Sequence, residues 1–191
     1  MNLKLYMLLL GCKPSGRLTE QHDIFFGIAQ NLKELLPSLK SSWPEAKGVL
    51  HIDVWREVTK IDSYKIHVVE RKKLKSTAES QNKLFFINLG GYKKDEFEEY
   101  HYKMLVVAKD KGEAIYQSKE SNFYRHTGFA GATSHVDDKY GIDVDDIYEL
   151  QDCLPEHMKE LYRLEILDIH ENPEQPEDEL HAGYLKLSSL K

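Results

Sequence analysis

Two stretches of the chain share one pattern of apolar and polar positions. Residues 5–10 form a continuous apolar run that Gly11 closes, and residues 84–89 form a second run, apolar except for Asn88, that a glycine pair closes. Such runs predict strands that are buried on both faces. Residues 4–40 align with residues 83–119 without a gap. We therefore interpret the chain as an internal duplication.

Each run is followed by a segment with helical spacing. Apolar residues of segment 19–39 recur every three or four positions, and those of segment 104–115 do the same, which predicts a helix with one buried face in each repeat. In the first repeat, the alternating segments 52–58 and 64–69 then predict a β-hairpin. The predicted unit is β-α-β-β, with the helix as a crossover that makes its first two strands parallel.

The predicted fold class is α+β, with helices packed on a mixed β-sheet and pseudo-twofold symmetry between two β-α-β-β units. The predicted first repeat is residues 1–71, followed by a linker at 72–82. The second repeat, with insertions, is residues 83–170, and residues 171–191 form a polar linker and C-terminal tail. The apolar part of this tail either docks as an edge strand or stays loose.

Composition narrows the functional classes. The chain has 191 residues, of which 41% are hydrophobic, enough for an ordinary globular core. A net charge of −6 argues against a nucleic-acid backbone or an anionic membrane as partner. The two cysteines, Cys12 and Cys153, form no CxxC motif and no disulfide framework. We expect a cytoplasmic protein, because the apolar run before Cys12 is too short for a secretory signal. We expect no cofactor, since the sequence contains no nucleotide-binding fingerprint.

Four segments carry a resemblance to a known family. Residues 8–12 (LLLGC), 20–23 (EQHD), 51–58 (HIDVWREV) and 135–141 (HVDDKYG) are similar to the bacterial family catalogued as domain of unknown function 1543. The resemblance covers nearly the whole chain. It implies one or two copies of the domain, in agreement with the duplication, and it implies no activity, cofactor or site residue.

Polar residues that recur in both copies are the first site candidates. Glu20-x-His22 recurs as Glu99-x-His101. At the start of a predicted helix, the carboxylate complements the helix dipole and the imidazole bonds locally. The alternative is that His22 belongs to a binding site near the symmetry axis, where it acts as a general base or coordinates a metal ion.

A second recurring pair is His51-x-Asp53, which recurs as His135-x-Asp137. Residues i and i+2 of a strand face the same side, so each pair can present an imidazole and a carboxylate together. If the two strands meet at the symmetry axis, these four residues form one metal site. Otherwise they are structural and the chain holds no metal.

Two loops add further candidates. Lys13 and Arg17 lie in the loop after the first predicted strand, where an anion can bind, although the sequence has no recognised phosphate-binding motif and an ordinary connection is the alternative. The insertion in the second copy contains Arg125 as a ligand-binding candidate and His126 as a catalytic candidate, and His135 and Asp137 are the other catalytic candidates.

The leading functional hypothesis is a module that binds a small molecule or a protein. One alternative is a small hydrolase-like or metal-dependent enzyme that uses the insertion. The other is a structural homo-oligomer.

Overall fold

The computed structural model describes residues 2–47, 49–73, 81–92, 95–120, 144–169 and 178–190. The chain divides into two compact units. The first unit combines Met1–Ala78 with Cys153–Lys191, and the second is Glu79–Asp152. Each unit contains its own antiparallel sheet and at least one helix.

The first unit is built on a four-stranded sheet in the order β10-β3-β1-β2. Its strands are β1 (Lys4–Cys12), β2 (Gln21–Ala29), β3 (His51–Glu57) and β10 (His181–Lys186). The apolar run of the sequence becomes β1, which pairs with β2 along its full length and with β3 on its other side. Leu5, Leu8 and Leu10 are buried in it. β1 is therefore an inner strand of the sheet, with most of its apolar side chains buried, as its composition predicts.

The first unit also holds a smaller three-stranded sheet in the order β4-β5-β9. Its strands are β4 (Lys60–Ile61), β5 (Tyr64–Glu70) and β9 (Tyr162–Asp168). Ile66 of β5 pairs with Ile166 of β9, and both side chains are buried. The helices of this unit are α1 (Leu36–Ser42) and α4 (Glu156–Leu161), and α3 (Leu150–Cys153) spans the boundary between the units.

The second unit contains β6 (Lys83–Tyr92), β7 (Glu99–Ala108), β8 (Val144–Glu149) and α2 (Lys111–Lys119). β6 lies between β7 and β8. One hydrophobic cluster joins the sheet to the helix, and its buried members are Phe85, Ile87, Leu89, Val106, Ala108 and Ala114. Among the described residues, both units begin with the order strand, strand, helix, strand. The duplication and its twofold symmetry stay predictions.

The α+β class is confirmed, but the predicted β-α-β-β order is wrong in one element. Residues 21–29 form β2, and the helical segment starts only after Asn31, whose side chain accepts a hydrogen bond from the Glu34 amide at 3.3 Å. A short 3-10 turn then leads into α1. The five residues from Phe25 to Ala29 are all buried, so both faces of this part of β2 are covered, whereas an amphipathic helix buries only one face.

The prediction of parallel strands on a mixed sheet is wrong as well. Every strand pairing among the described residues is antiparallel. β1 turns directly into β2 through a hairpin, and no crossover helix separates them. In the second unit β7 likewise replaces the first half of the predicted helix, and α2 begins after Asp110, whose side chain accepts from the Glu113 amide at 2.9 Å.

The end of the described chain docks as an edge strand, one of the two predicted alternatives. β10 pairs with β3, with Lys186 opposite His51 and His181 opposite Trp55. The insertion of the second repeat, including Arg125, His126, His135 and Asp137, lies outside the described residues. No helix within the described ranges is long and apolar enough to cross a membrane.

Candidate functional site

Two imidazoles and two carboxylates gather where β1 ends. We call Glu20, His22, His51 and Asp53 the His–carboxylate cluster. His22 of β2 and His51 of β3 both pair with Gly11, one on each side of β1. Residues directly opposite each other on adjacent strands point to the same face of a sheet. The two imidazoles therefore flank the one position of the central strand that has no side chain.

A β-bulge brings Asp53 into the cluster. Along β3, Val54 pairs with Leu9 and Ile52 pairs with Leu10, so Asp53 is an extra residue without a partner on β1. A bulge re-aims the side chain at which it occurs, and such irregularities are frequent beside functional sites. Here the Asp53 carboxylate lies 3.2 Å from Nε2 of His51, two residues earlier in the same strand.

The four side chains alternate around a ring. Nε2 of His51 lies 3.1 Å from Oε1 of Glu20 and 3.2 Å from Oδ1 of Asp53. Nε2 of His22 lies 3.3 Å from Oδ2 of Asp53 and 3.8 Å from Oε2 of Glu20. Each carboxylate thus offers one oxygen to each imidazole.

Solvent reaches the cluster from one side. The side chain of His51 is 9% exposed and that of Asp53 is 24% exposed, whereas His22 and Glu20 are 43% and 44% exposed. The inner pair is therefore held by the sheet. The outer pair is free to change rotamer at little cost in packing.

The inner atoms lack hydrogen bonds. Nε2 of His51 and Oδ2 of Asp53 are buried and have no hydrogen-bond partner, because the neighbouring polar atoms are close but poorly aligned. Leaving such a group unsatisfied costs about 1–3 kcal/mol. A single N–H on His51 also cannot point at two carboxylates, and a lone pair on Nε2 would face their negative charge. The arrangement is favourable only with positive charge among the four side chains.

Gly11 leaves the space in which these atoms meet. A Cβ atom at this position would collide with Nε2 of His51 and would lie 2.5 Å from Oδ2 of Asp53. Gly11 has no left-handed backbone conformation to explain its presence. The glycine is required for the close approach of the two side chains to the strand.

Cys12 follows Gly11 but behaves as a core residue. Its side chain is buried, and burial, with the nearby charge of Glu20 as a smaller cause, raises the pKa of its thiol. A raised pKa keeps the sulfur protonated, so it is a poor nucleophile and a poor metal ligand.

The structure groups the predicted site residues differently from the sequence. His22 lies in a strand and not in the first turn of a helix, which corrects that interpretation. It joins His51 and Asp53, two residues of the predicted metal set, while the other two, His135 and Asp137, lie outside the described residues. Lys13 and Arg17 are exposed on the loop between β1 and β2 and make no ion pair with the cluster.

The sequence pattern places Glu20 with His22 but predicts for its carboxylate only the role of complementing a helix dipole, not that of a site residue. The signal was present, since Glu20-x-His22 and His51-x-Asp53 are both pairs of one carboxylate and one imidazole. In the second unit, Glu99 and His101 repeat the first pair with Nε2 and Oε2 4.0 Å apart, and His101 pairs with Gly90. As the side chains stand, no group of three or more His, Cys, Asp or Glu residues within the described part of the chain could hold a metal ion.

Fold and site together define an α+β protein of antiparallel sheets with a His–carboxylate cluster on its first sheet. Residues 17–68 match the family described as Domain of Unknown Function (DUF1543), which confirms the resemblance over that span. The matched span contains all four residues of the cluster.

A crystal structure of a protein Il1583 from Idiomarina loihiensis has a similar fold, with a TM-score of 0.62 at 22% sequence identity. The similarity covers 97% of each chain. At this identity the similarity concerns the fold alone. The comparison with curated proteins finds no match.

Proposed function

We propose that the first unit binds a divalent transition-metal ion through the His–carboxylate cluster, and that the chain acts as a metal-dependent binding module. This keeps the leading hypothesis of a binding protein and replaces the expectation of no cofactor. The observation that carries the proposal is the ring of alternating imidazoles and carboxylates. Two of its atoms, Nε2 of His51 and Oδ2 of Asp53, are buried without a hydrogen bond.

The spacing of the donors supports one ion. Four N and O donors at 2.0–2.2 Å from a tetrahedral ion are separated by about 3.3–3.6 Å. The four N···O separations in the ring are 3.1, 3.2, 3.3 and 3.8 Å, and they involve both oxygens of each carboxylate, so an ion would take one oxygen from each. The long one involves only the half-exposed residues, Glu20 and His22. Rotation of these two side chains about the fixed His51 and Asp53 completes the coordination.

The donor set also restricts the metal. Imidazole nitrogens with carboxylate oxygens suit Zn²⁺, Fe²⁺, Mn²⁺, Co²⁺ and Ni²⁺, whereas Ca²⁺ and Mg²⁺ prefer oxygen ligands throughout. Two carboxylates neutralise the charge of a divalent ion. The ion in turn supplies the positive charge that the cluster requires, and a protonated imidazole pair is the competing source of that charge.

The hydrolase-like alternative uses His126, His135 and Asp137, which lie outside the described residues, and it stays a prediction. A cytoplasmic location, the absence of nucleic-acid or membrane partners, and a homo-oligomer as the alternative assembly remain proposals. The two free cysteines support the location, and the net charge of −6 supports the absence of nucleic-acid or membrane partners. The homo-oligomer would assemble through the sheet edges.

The test is metal binding by untagged protein that has been treated with a chelator and dialysed. Zn²⁺, Co²⁺ and Mn²⁺ are titrated separately by calorimetry, and bound metal is counted by elemental analysis. We expect one ion per chain in the wild type. His51→Gln and Asp53→Asn are expected to weaken binding by on the order of 100-fold, because each removes a ligand from the rigid half of the ring.

His101→Gln is the matched control. It changes the second Glu-x-His pair, which lies in the other unit, and we expect the affinity and stoichiometry of the wild type. Wild-type protein that binds none of the three ions would overturn the proposed metal site. Wild-type affinity in His51→Gln would place any bound ion elsewhere.

A further inference from the structure

The C-terminal strand closes one face of the buried imidazole. β10 pairs with β3 so that Lys186 lies opposite His51. The ring of Tyr184 packs against the ring of His51, with a centroid distance of 4.2 Å and an interplanar angle of 35°. The ring of Tyr184 therefore covers one face of the His51 imidazole.

Core packing does not explain the position of Tyr184, which is 65% exposed. Its placement depends on a second irregularity at the level of Asp53. Ala182 pairs with Val54 and Leu185 pairs with Ile52, so Gly183 and Tyr184 together face the single residue Asp53. Gly183 has φ +138°, a conformation that other residues rarely adopt. The strand thus departs from regular geometry where the tyrosine meets the imidazole.

Other contacts fix β10 on either side of this point. His181 stacks on Trp55 at a centroid distance of 3.9 Å and an angle of 16°. Before the strand begins, the carboxylate of Asp178 accepts hydrogen bonds from the Thr59 amide at 2.8 Å and the Thr59 hydroxyl at 2.5 Å. Docking of β10 on β3 is therefore a defined state with contacts of its own.

We propose that Tyr184 is a positioning residue for His51, so that metal binding and the docking of β10 stabilise each other. The inference rests on the proposed metal site. A metal–imidazole bond requires the ring plane to contain the ion, and the tyrosine ring restricts rotation of that plane. Groups that orient a ligand in this way usually contribute about 10- to 100-fold to metal affinity. By linkage the effect is reciprocal: the bound ion increases the equilibrium constant for docking of β10 by the same factor by which docking increases the metal affinity.

The test compares Tyr184→Ala and Tyr184→Phe by Zn²⁺ titration, with Leu180→Ala as the control. Leu180 is an exposed residue just before β10. We expect Tyr184→Ala to weaken binding about tenfold, and Tyr184→Phe, which keeps the ring, to stay within about twofold of the wild type. Leu180→Ala is expected to bind like the wild type. The visible spectrum of bound Co²⁺ is expected to change in Tyr184→Ala alone, which a role in folding only would not cause.

Hydrogen exchange of the wild-type protein tests the reciprocal effect without any variant. Zn²⁺ is expected to slow exchange of the β10 amides, and Tyr184→Ala is expected to lose that protection. If Tyr184→Ala binds Zn²⁺ like the wild type and the ion leaves β10 exchange unchanged, the positioning role is wrong while the metal site stands. If the wild type binds no ion, the metal site itself is wrong, and the two failures are distinguished by the wild-type titration.

Discussion

Gly11→Ala is the substitution whose effect the structure determines best. An alanine in a strand interior is normally more stable than glycine by about 0.5–1 kcal/mol, and Gly11 has no left-handed conformation to reverse that preference. The added Cβ, however, would collide with His51 and lie 2.5 Å from Oδ2 of Asp53. Overpacking of this kind costs about 1–3 kcal/mol. β1 is paired on both sides and cannot move away, so we expect a net loss of about 1–2 kcal/mol.

Urea denaturation followed by tryptophan fluorescence measures this loss. Both tryptophans of the chain, Trp43 and Trp55, lie in the first unit, so the signal reports the unit that carries the substitution. The control introduces Gly11→Ala into a protein that already carries His51→Ala and Asp53→Ala. There the Cβ meets neither side chain, and we expect a neutral or stabilising effect of up to about 1 kcal/mol. Equal effects in the two backgrounds would refute the collision as the cause.

Three further outcomes follow from the first unit. Burial, with the charges of Glu57 and Glu34, raises the pKa of Tyr6 from 10.0 to about 12. The folded state therefore holds the proton more tightly, and stability is lost as the pH rises from about 10 towards 12. Urea titrations across this range should show a shallower decline in Tyr6→Phe, by up to about 2 kcal/mol, and parallel curves would contradict the assignment. Cys153 should react with a thiol reagent before Cys12, because Cys12 is buried and its pKa is raised, and equal rates in mass-spectrometric labelling would argue otherwise. Asp178→Ala should weaken docking of β10 by about 1–2 kcal/mol through its lost bonds to Thr59, seen as faster amide exchange in that strand, whereas unchanged exchange would show that these bonds contribute nothing.

Elements with an unambiguous period were predictable from the sequence. The apolar run of β1 and the alternating segments of β3 and β5 become strands close to the predicted bounds. β2 was not predictable, because Phe25, Ile28 and Ala29 fit helical spacing as well as they fit a strand buried on both faces. The choice is made by pairing with β1, a tertiary effect that local propensity does not contain.

The residues of the cluster were easier to predict from the sequence than the fact that they lie close together. The spacing of His51 and Asp53 indicates a shared face, and Glu20 with His22 forms a similar pair. Which pairs meet depends on strand register, and that register contains a bulge that no periodicity announces. The predicted combination with His135 and Asp137 assumed a symmetry axis. Within one unit, Glu20 and His22 come close to His51 and Asp53 simply because β2 and β3 pair with the two sides of β1.

The extra residue in β3 also acts as a change of phase along the strand. Side chains alternate between faces with a period of two, so one additional residue reverses that alternation along the sequence while the pairing with β1 resumes in register. Removal of Asp53 would therefore leave Ile52 opposite Leu10 and Val54 opposite Leu9 in a regular ladder. On the other edge of β3, Gly183 and Tyr184 of β10 would lose the residue that they face. A substitution at this position changes the chemistry of the cluster, whereas a deletion also removes the bulge that carries it.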